Sequence, residues 1–243
     1  MSTHYAANRG DRIAYEVFGR GRQAVVLQHA FLRNRRIWSD LGYVESLAQN
    51  FTVIAVDSLA HGESDAPREA RRYRRDARAG DIAAVLDAEG IEKAHYVGYS
   101  MGAWLGIGML AHEPERLLSL TLGAFDPDPA GMAPPAFETF FAMAGKMAPD
   151  AVSWVTAERK PALALCFDAI AIRDIAEDVV LNSPVPLHLW TGADDTTHEP
   201  FKRLHARIPG STLSVAPGNH ATAMSTPESL KAVSAFLNKA SRT

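Results

Sequence analysis

Hydrophobic and polar positions along the chain fall into two rhythms. Residues 3–8 and 11–17 alternate loosely and predict an N-terminal hairpin, broken afterwards by Gly19 and Gly21. Beyond it come short, unbroken apolar runs at 24–28, 51–56, 93–99, 117–122, 187–191 and 212–215. Runs of this kind, apolar on both sides of the strand, suit buried parallel strands. Between them lie segments with helical spacing: 41–49, 74–89, 101–112, about 201–207 and 227–239. In the segment 74–89, Ile82, Val85 and Leu86 are expected to face inward and Gly90 to stop the helix. The alternation predicts an α/β fold: a mostly parallel sheet with helices on both faces.

The rhythm changes after Gly123. A proline-rich connector, 125–135, precedes three predicted helices at about 136–147, 150–158 and 161–172. No strand pattern interrupts them. They carry Phe140, Phe141, Met143, Trp154 and Phe167. The expected organisation is one domain formed by 1–124 and 184–243, with 125–183 as a helical cap inserted over the sheet.

Composition narrows the class. The chain has 243 residues, 47% apolar and 22% charged, and its net charge of −3 provides no general pull toward nucleic acid or anionic membrane. Arginines 68, 71, 72, 74, 75 and 78 cluster, but Glu69, Asp76 and Asp81 are interleaved with them. We therefore expect a solvated helix start and not an RNA-binding face. The single cysteine, Cys166, excludes an intrachain disulfide and reads as a small buried hydrophobe. The N-terminus lacks the apolar core of a signal peptide, and no run approaches the ~18 apolar residues of a membrane span. A cytoplasmic protein is the expectation.

Chemistry concentrates at Gly98-Tyr99-Ser100-Met101-Gly102, between a predicted strand and a predicted helix. A serine there sits on a sharp turn, and the flanking glycines remove Cβ atoms that would collide. Its hydroxyl is lifted clear, and the Met101 N–H lies at the positive end of the helix. Serine needs a base, and the base needs an orienting carboxylate. His220 follows the last predicted strand, and Asp194 and Asp195 follow the one before it. In a parallel sheet these loops can converge at the C-terminal strand ends. Asp126, after the strand ending near Gly123, is a further candidate, although its place beside Pro127 suits a turn.

With His29-Ala30-Phe31 after the first buried strand, Asp57 to Ser64, Gly98 to Gly102, Gly192 to Asp195 and Gly218 to His220, all in order, the chain resembles the α/β-hydrolase superfamily, specifically its capped esterase and lactonase-like branch. That resemblance implies Ser100 as nucleophile, His220 as base and Asp195, with Asp194 as fallback, as the triad acid. It also implies an oxyanion hole from the backbone N–H groups of Met101 and Phe31, no cofactor, and a small ester, thioester or lactone as substrate. Perhydrolase, C–C hydrolase, lyase and slow-turnover ligand-receptor functions belong to the same resemblance. Serine at the nucleophile position argues against relatives that use aspartate there.

Two departures stand out: Ala30 and Ala60 occupy positions where the family commonly has glycine. Alanine avoids positive φ, so either both turns take negative φ or the oxyanion loop has another shape. His29 is expected to order its loop and His61 to fix its own turn. The remaining histidines show no metal-ligand spacing. Tyr99, Phe140, Trp154 and Phe167 are the pocket candidates, with core packing the alternative for each.

Overall fold

The computed structural model describes residues 2–126, 135–172 and 177–242. The hairpin is present as β1 (His4–Asn8) and β2 (Asp11–Phe18). Six further strands follow: β3 (Ala24–Gln28), β4 (Thr52–Val56), β5 (Ala94–Tyr99), β6 (Leu117–Gly123), β7 (Leu187–Gly192) and β8 (Thr212–Ala216). They form one sheet in the order β1-β2-β4-β3-β5-β6-β7-β8. β2 runs antiparallel to β4, and every pairing from β4 to β8 is parallel. The unbroken apolar runs are explained by burial on both faces. In β3, Val25 and Leu27 enter one core while Val26 enters the other.

Helices cover each face. α1 (Ile37–Asp40), α2 (Tyr43–Leu47) and α10 (Pro227–Ala240) pack on one side, through Trp38, Tyr43 and Phe236. α3 (Arg75–Ala88), α4 (Met101–His112) and α9 (His198–Arg207) pack on the other, through Ile82, Leu105 and Phe201. Between β6 and β7 the described residues form α5 (Phe137–Met147), α6 (Pro149–Val152), α7 (Lys160–Ala171) and α8 (Asp178–Leu181), with no strand among them. Most of the predicted connector, residues 127–134, lies outside the described residues.

Three expectations need correction. The predicted helix 41–49 is confined to α2, Tyr43–Leu47, because Gly42 takes φ +78° just before it. The predicted helix 150–158 ends at Val152. The arginine cluster is only half solvated: Arg68, Arg71 and Arg74 are exposed, whereas Arg72, Arg75 and Arg78 are buried. Arg72 is ion-paired to Asp11 at 2.5 Å and bonded to the Asn8 carbonyl at 2.8 Å. The Arg75 guanidinium lies 4.8 Å from the Trp104 ring centroid, and Arg78 pairs with Asp81 at 3.1 Å. These arginines tie α3 to the hairpin and to α4, a role that charge counting does not reveal.

Candidate active site

The turn between β5 and α4 is a single residue. Ser100 has φ 54° and ψ −112°, an uncommon conformation for a residue with a side chain, which costs about 1–3 kcal/mol. Its surroundings leave no alternative. A Cβ on Gly98 would overlap the Gly102 carbonyl, and one on Gly102 would overlap the Gln28 carbonyl. The Ser100 N–H donates to the Gly123 carbonyl at 2.7 Å, and the Tyr96 hydroxyl holds the Gly102 carbonyl at 2.9 Å. The serine therefore stands clear of the backbone at the C-terminal edge of the sheet.

Loops after β7 and β8 bring the partners to it. His220 Nε2 is 3.0 Å from Ser100 Oγ, and His220 Nδ1 is 3.0 Å from Asp195 Oδ2. An ionised carboxylate only accepts, so Nδ1 carries the hydrogen and Nε2 is left to accept from the serine. Asp195 Oδ1 also accepts from the Thr197 N–H at 2.8 Å and from its hydroxyl at 2.9 Å. Burial pushes this carboxyl toward the neutral form, but His220 and Thr197 together hold it below the usual carboxylate range. Asp194 is exposed, and the imidazole is paired with Asp195, not with Asp194 or Asp126.

Across from the serine lies the loop after β3. Among the described residues no backbone carbonyl accepts from the amides of Phe31 or Met101, and Met101 is the first residue of α4. Amides left without a carbonyl partner keep their capacity to donate to an anionic oxygen. The departures at Ala30 and Ala60 resolve differently. Ala30 is absent from the left-handed residues, and the loop instead places Leu32 at φ +61°. Ala60 takes φ +67°, so negative φ at both turns is not what occurs. The Ala60 turn is held by its N–H to the Asp65 carbonyl at 2.9 Å.

His29 does order the loop: its Nδ1–H donates to the Ala30 carbonyl at 2.8 Å and its Nε2 accepts from the Ser58 N–H at 3.0 Å. His61 reaches further than its own turn. Besides bonding the Leu59 carbonyl at 3.0 Å, it accepts the Leu32 N–H at 3.2 Å. Burial drives His29 down to about 4 and His61 well below its ordinary value, so both act as neutral rings. Further along, Arg35 forms a buried pair with Asp57 and also contacts Glu63 at 2.6 Å.

The pocket candidates separate. Phe140 and Phe167 gather with Phe137 around the Phe31 ring, at centroid distances of 5.9, 5.5 and 6.5 Å. Trp154 joins them from beside His61 and donates its indole N–H to the Leu32 carbonyl at 3.2 Å. Tyr99 is a correction. It is buried on the opposite face with Val97 and Trp190, and its hydroxyl donates to the His220 carbonyl at 2.9 Å. The two-residue period of β5 already placed Tyr99 on the Val97 face, a signal that the aromatic character obscured. Cys166 is buried as expected, its sulfur 3.8 Å from that of Met101. Among the described residues no group of three His, Cys, Asp or Glu side chains is arranged to hold a metal. Nor is any helix long and apolar enough to cross a membrane.

An eight-stranded, mostly parallel sheet with a serine on a strand-to-helix elbow defines the α/β-hydrolase class. The profile of the alpha/beta hydrolase fold matches residues 23–156, more than half of the chain, and the chain belongs to that family. The enol-lactonase from Burkholderia xenovorans superposes with a TM-score of 0.77 at 22% identity, covering 97% of this chain and 100% of that one. A thermophilic esterase from Thermogutta terrifontis superposes with a TM-score of 0.79 at 21% identity, covering 99% of both chains. A Bacillus subtilis protein named as a 2-succinyl-6-hydroxy-2,4-cyclohexadiene-1-carboxylate synthase is 31% identical over 120 residues, which is 48% of this chain and 43% of that protein. The match to this curated relative thus spans less than half of its length.

Proposed function

We propose that the protein is a serine hydrolase that cleaves a small carboxylic ester, thioester or lactone through an acyl-enzyme. The reading rests on one observation: a continuous hydrogen-bonded path from Ser100 Oγ through His220 to Asp195, with both links at 3.0 Å. Ser100 Oγ attacks the substrate carbonyl carbon while its proton passes to His220 Nε2. Asp195 stabilises the imidazolium that forms, and the N–H groups of Met101 and Phe31 receive the oxyanion. Collapse of the tetrahedral intermediate breaks the C–O or C–S bond, and His220 returns its proton to the leaving group. Water then attacks the acyl-enzyme carbonyl, with His220 taking its proton, and as the bond to Ser100 breaks His220 returns that proton to Oγ and the acid product leaves.

In this reading residues 1–124 and 184–243 form the catalytic core, and the helices within 125–183 form a cap that bounds the acyl group. The apolar ring cluster of Phe31, Phe140 and Phe167 supports an uncharged acyl or alcohol group as the part of the substrate nearest the cap. Labelling with a fluorophosphonate, followed by a panel of p-nitrophenyl esters and lactones, tests the proposal. The expected result is covalent labelling of the native protein and none of Ser100→Ala. Hydrolysis of short esters by Ser100→Ala at the native rate would refute it.

A further inference from the structure

The oxyanion donor at Phe31 depends on a loop that cannot hold its own shape. Leu32 is left-handed at φ +61°, a conformation that costs a residue with a side chain about 1–2 kcal/mol. Three successive peptide units of this loop are held, the first from within the loop and the next two by side chains from elsewhere. The Ala30 carbonyl accepts from His29 Nδ1–H at 2.8 Å and from the Arg33 N–H at 3.1 Å. In a trans peptide the C=O and N–H point in opposite directions, so these bonds aim the Phe31 N–H. The next unit is held by His61 through the Leu32 N–H, and the one after it by Trp154 through the Leu32 carbonyl, each at 3.2 Å.

The first two grips come from the sheet side, and the third does not. Trp154 lies in the segment between α6 and α7, within the helices inserted between β6 and β7. Its indole ring is 5.8 Å from the His61 ring, so it covers the second grip while supplying the third. The same inserted helices enclose the Phe31 side chain, since Phe137 and Phe140 are on α5 and Phe167 is on α7. The strained bond at Leu32 lies between the Phe31 amide and the carbonyl that Trp154 holds. Without the indole N–H, Leu32 keeps only the His61 bond at its own N–H, and a relaxation to negative φ turns the Phe31–Leu32 peptide and, through the Phe31 φ and ψ, the Phe31 N–H on its far side.

We infer that Trp154 is a positioning residue for the oxyanion hole, and that the hole is complete only while the inserted helices are seated on the loop after β3. The inference rests on the serine-hydrolase reading above. It makes the inserted segment part of the catalytic geometry and not merely a wall around the substrate. A substrate whose apolar group packs among Phe31, Phe140 and Phe167 would then tighten the very contacts that hold the donor.

Trp154→Phe tests this, because it keeps a ring against His61 and removes only the N–H. On p-nitrophenyl acetate, kcat is expected to fall about 5- to 20-fold with KM within about twofold, the loss of one hydrogen bond acting in the transition state. Affinity for an alkyl trifluoromethyl ketone, whose adduct with Ser100 carries an oxyanion, should fall by the same factor. Affinity for the matching carboxylic acid product should stay constant. Phe167→Leu, which loosens the enclosure of the Phe31 ring, should show the same signature at smaller size. A merely structural Trp154 predicts equal losses for ketone and product, or a KM effect, and either result overturns the inference. Ser100→Ala is measured alongside. Should it stay active, the triad reading fails; should it be dead while Trp154→Phe equals the native enzyme, only the coupling to the inserted helices fails.

Discussion

Ser100 and Phe31 stand at the ends of neighbouring strands, β5 and β3, yet the two turns are held by different means. At Ser100 the constraint is backbone against backbone: Gly98 on Gly102, Gly102 on Gln28, and the serine N–H on Gly123. At Phe31 it is side chain on backbone, with His29, His61 and Trp154 reaching in from three parts of the chain. Steric exclusion at the first turn leaves a single conformation available. The second turn has alternatives, and its geometry lasts only as long as its partners stay neutral and in place. Under the proposed function, a site built this way would keep the nucleophile rigid and leave the oxyanion side open to adjustment from the inserted helices.

The sharpest way to break that contrast is on the nucleophile side. Ser100→Ala should lower kcat for short esters by roughly 10⁴–10⁶ while the protein stays folded, as measured by steady-state kinetics and circular dichroism. Asp195→Asn should cost about 10³–10⁴ in kcat, because the amide no longer enforces the tautomer in which Nδ1 carries the hydrogen. A loss of less than tenfold would remove Asp195 from the mechanism.

Acid should attack the other side first. His29 is held near 4 by burial, below its ordinary value of 6.5, and burial also pushes His61 well below its ordinary value. Between these values the unfolded chain binds protons that the folded chain does not. Stability from this source is therefore full above about pH 6.5, declines as pH falls toward 4, and loses nothing further to His29 below that. His95 and His188, also buried and near 4, act in the same direction. Asp81, raised to about 6 by burial, and Glu113, raised by burial as well, act oppositely, as two groups against four. The melting temperature should fall steadily from pH 6.5 to 4. A flat profile would show that the histidines are not buried neutral.

The smallest effect separates the two alanines. Ala60→Gly should leave stability within about 0.5 kcal/mol, since relief of φ +67° is offset by the loss of a buried methyl and by the added freedom of the unfolded chain. Ala30→Gly should destabilise by about 0.5 kcal/mol, because Ala30 needs no left-handed conformation. Urea midpoints read both. Stabilisation by Ala30→Gly would mean that the oxyanion loop has a different shape.

Much of this was legible before folding was considered. Six apolar runs correspond to β3 through β8, and the Gly-x-Ser-x-Gly turn is where its glycines require it. The order Ser, Asp, His along the chain matches the three loops that meet. The local pattern did not separate Asp194 from Asp195, because neighbours on a loop differ only in their direction of approach; the family resemblance selected Asp195, the one that meets His220. Burial of Arg72 and Arg75 was equally hidden, since each is neutralised or stacked by a residue distant in sequence, whereas Arg78 pairs with Asp81 one turn along the same helix face. Tyr99 and Trp154 both read as aromatic pocket candidates, yet one fastens the His220 loop from beneath and the other grips the Leu32 carbonyl from above.

By itself, then, the order of residues determined whatever acts over a few positions: which runs bury on both faces, where a Cβ cannot fit, which helix begins behind the serine. These depend on sterics and periodicity, which the chain carries wherever it goes. Tertiary structure alone decided the partnerships across large separations, such as His220 with Ser100 and Trp154 with Leu32. A hydrogen bond requires two groups within about 3 Å and properly aligned. No local preference fixes the meeting of loops that far apart, and only the assembled sheet and the helices set over it bring them into register.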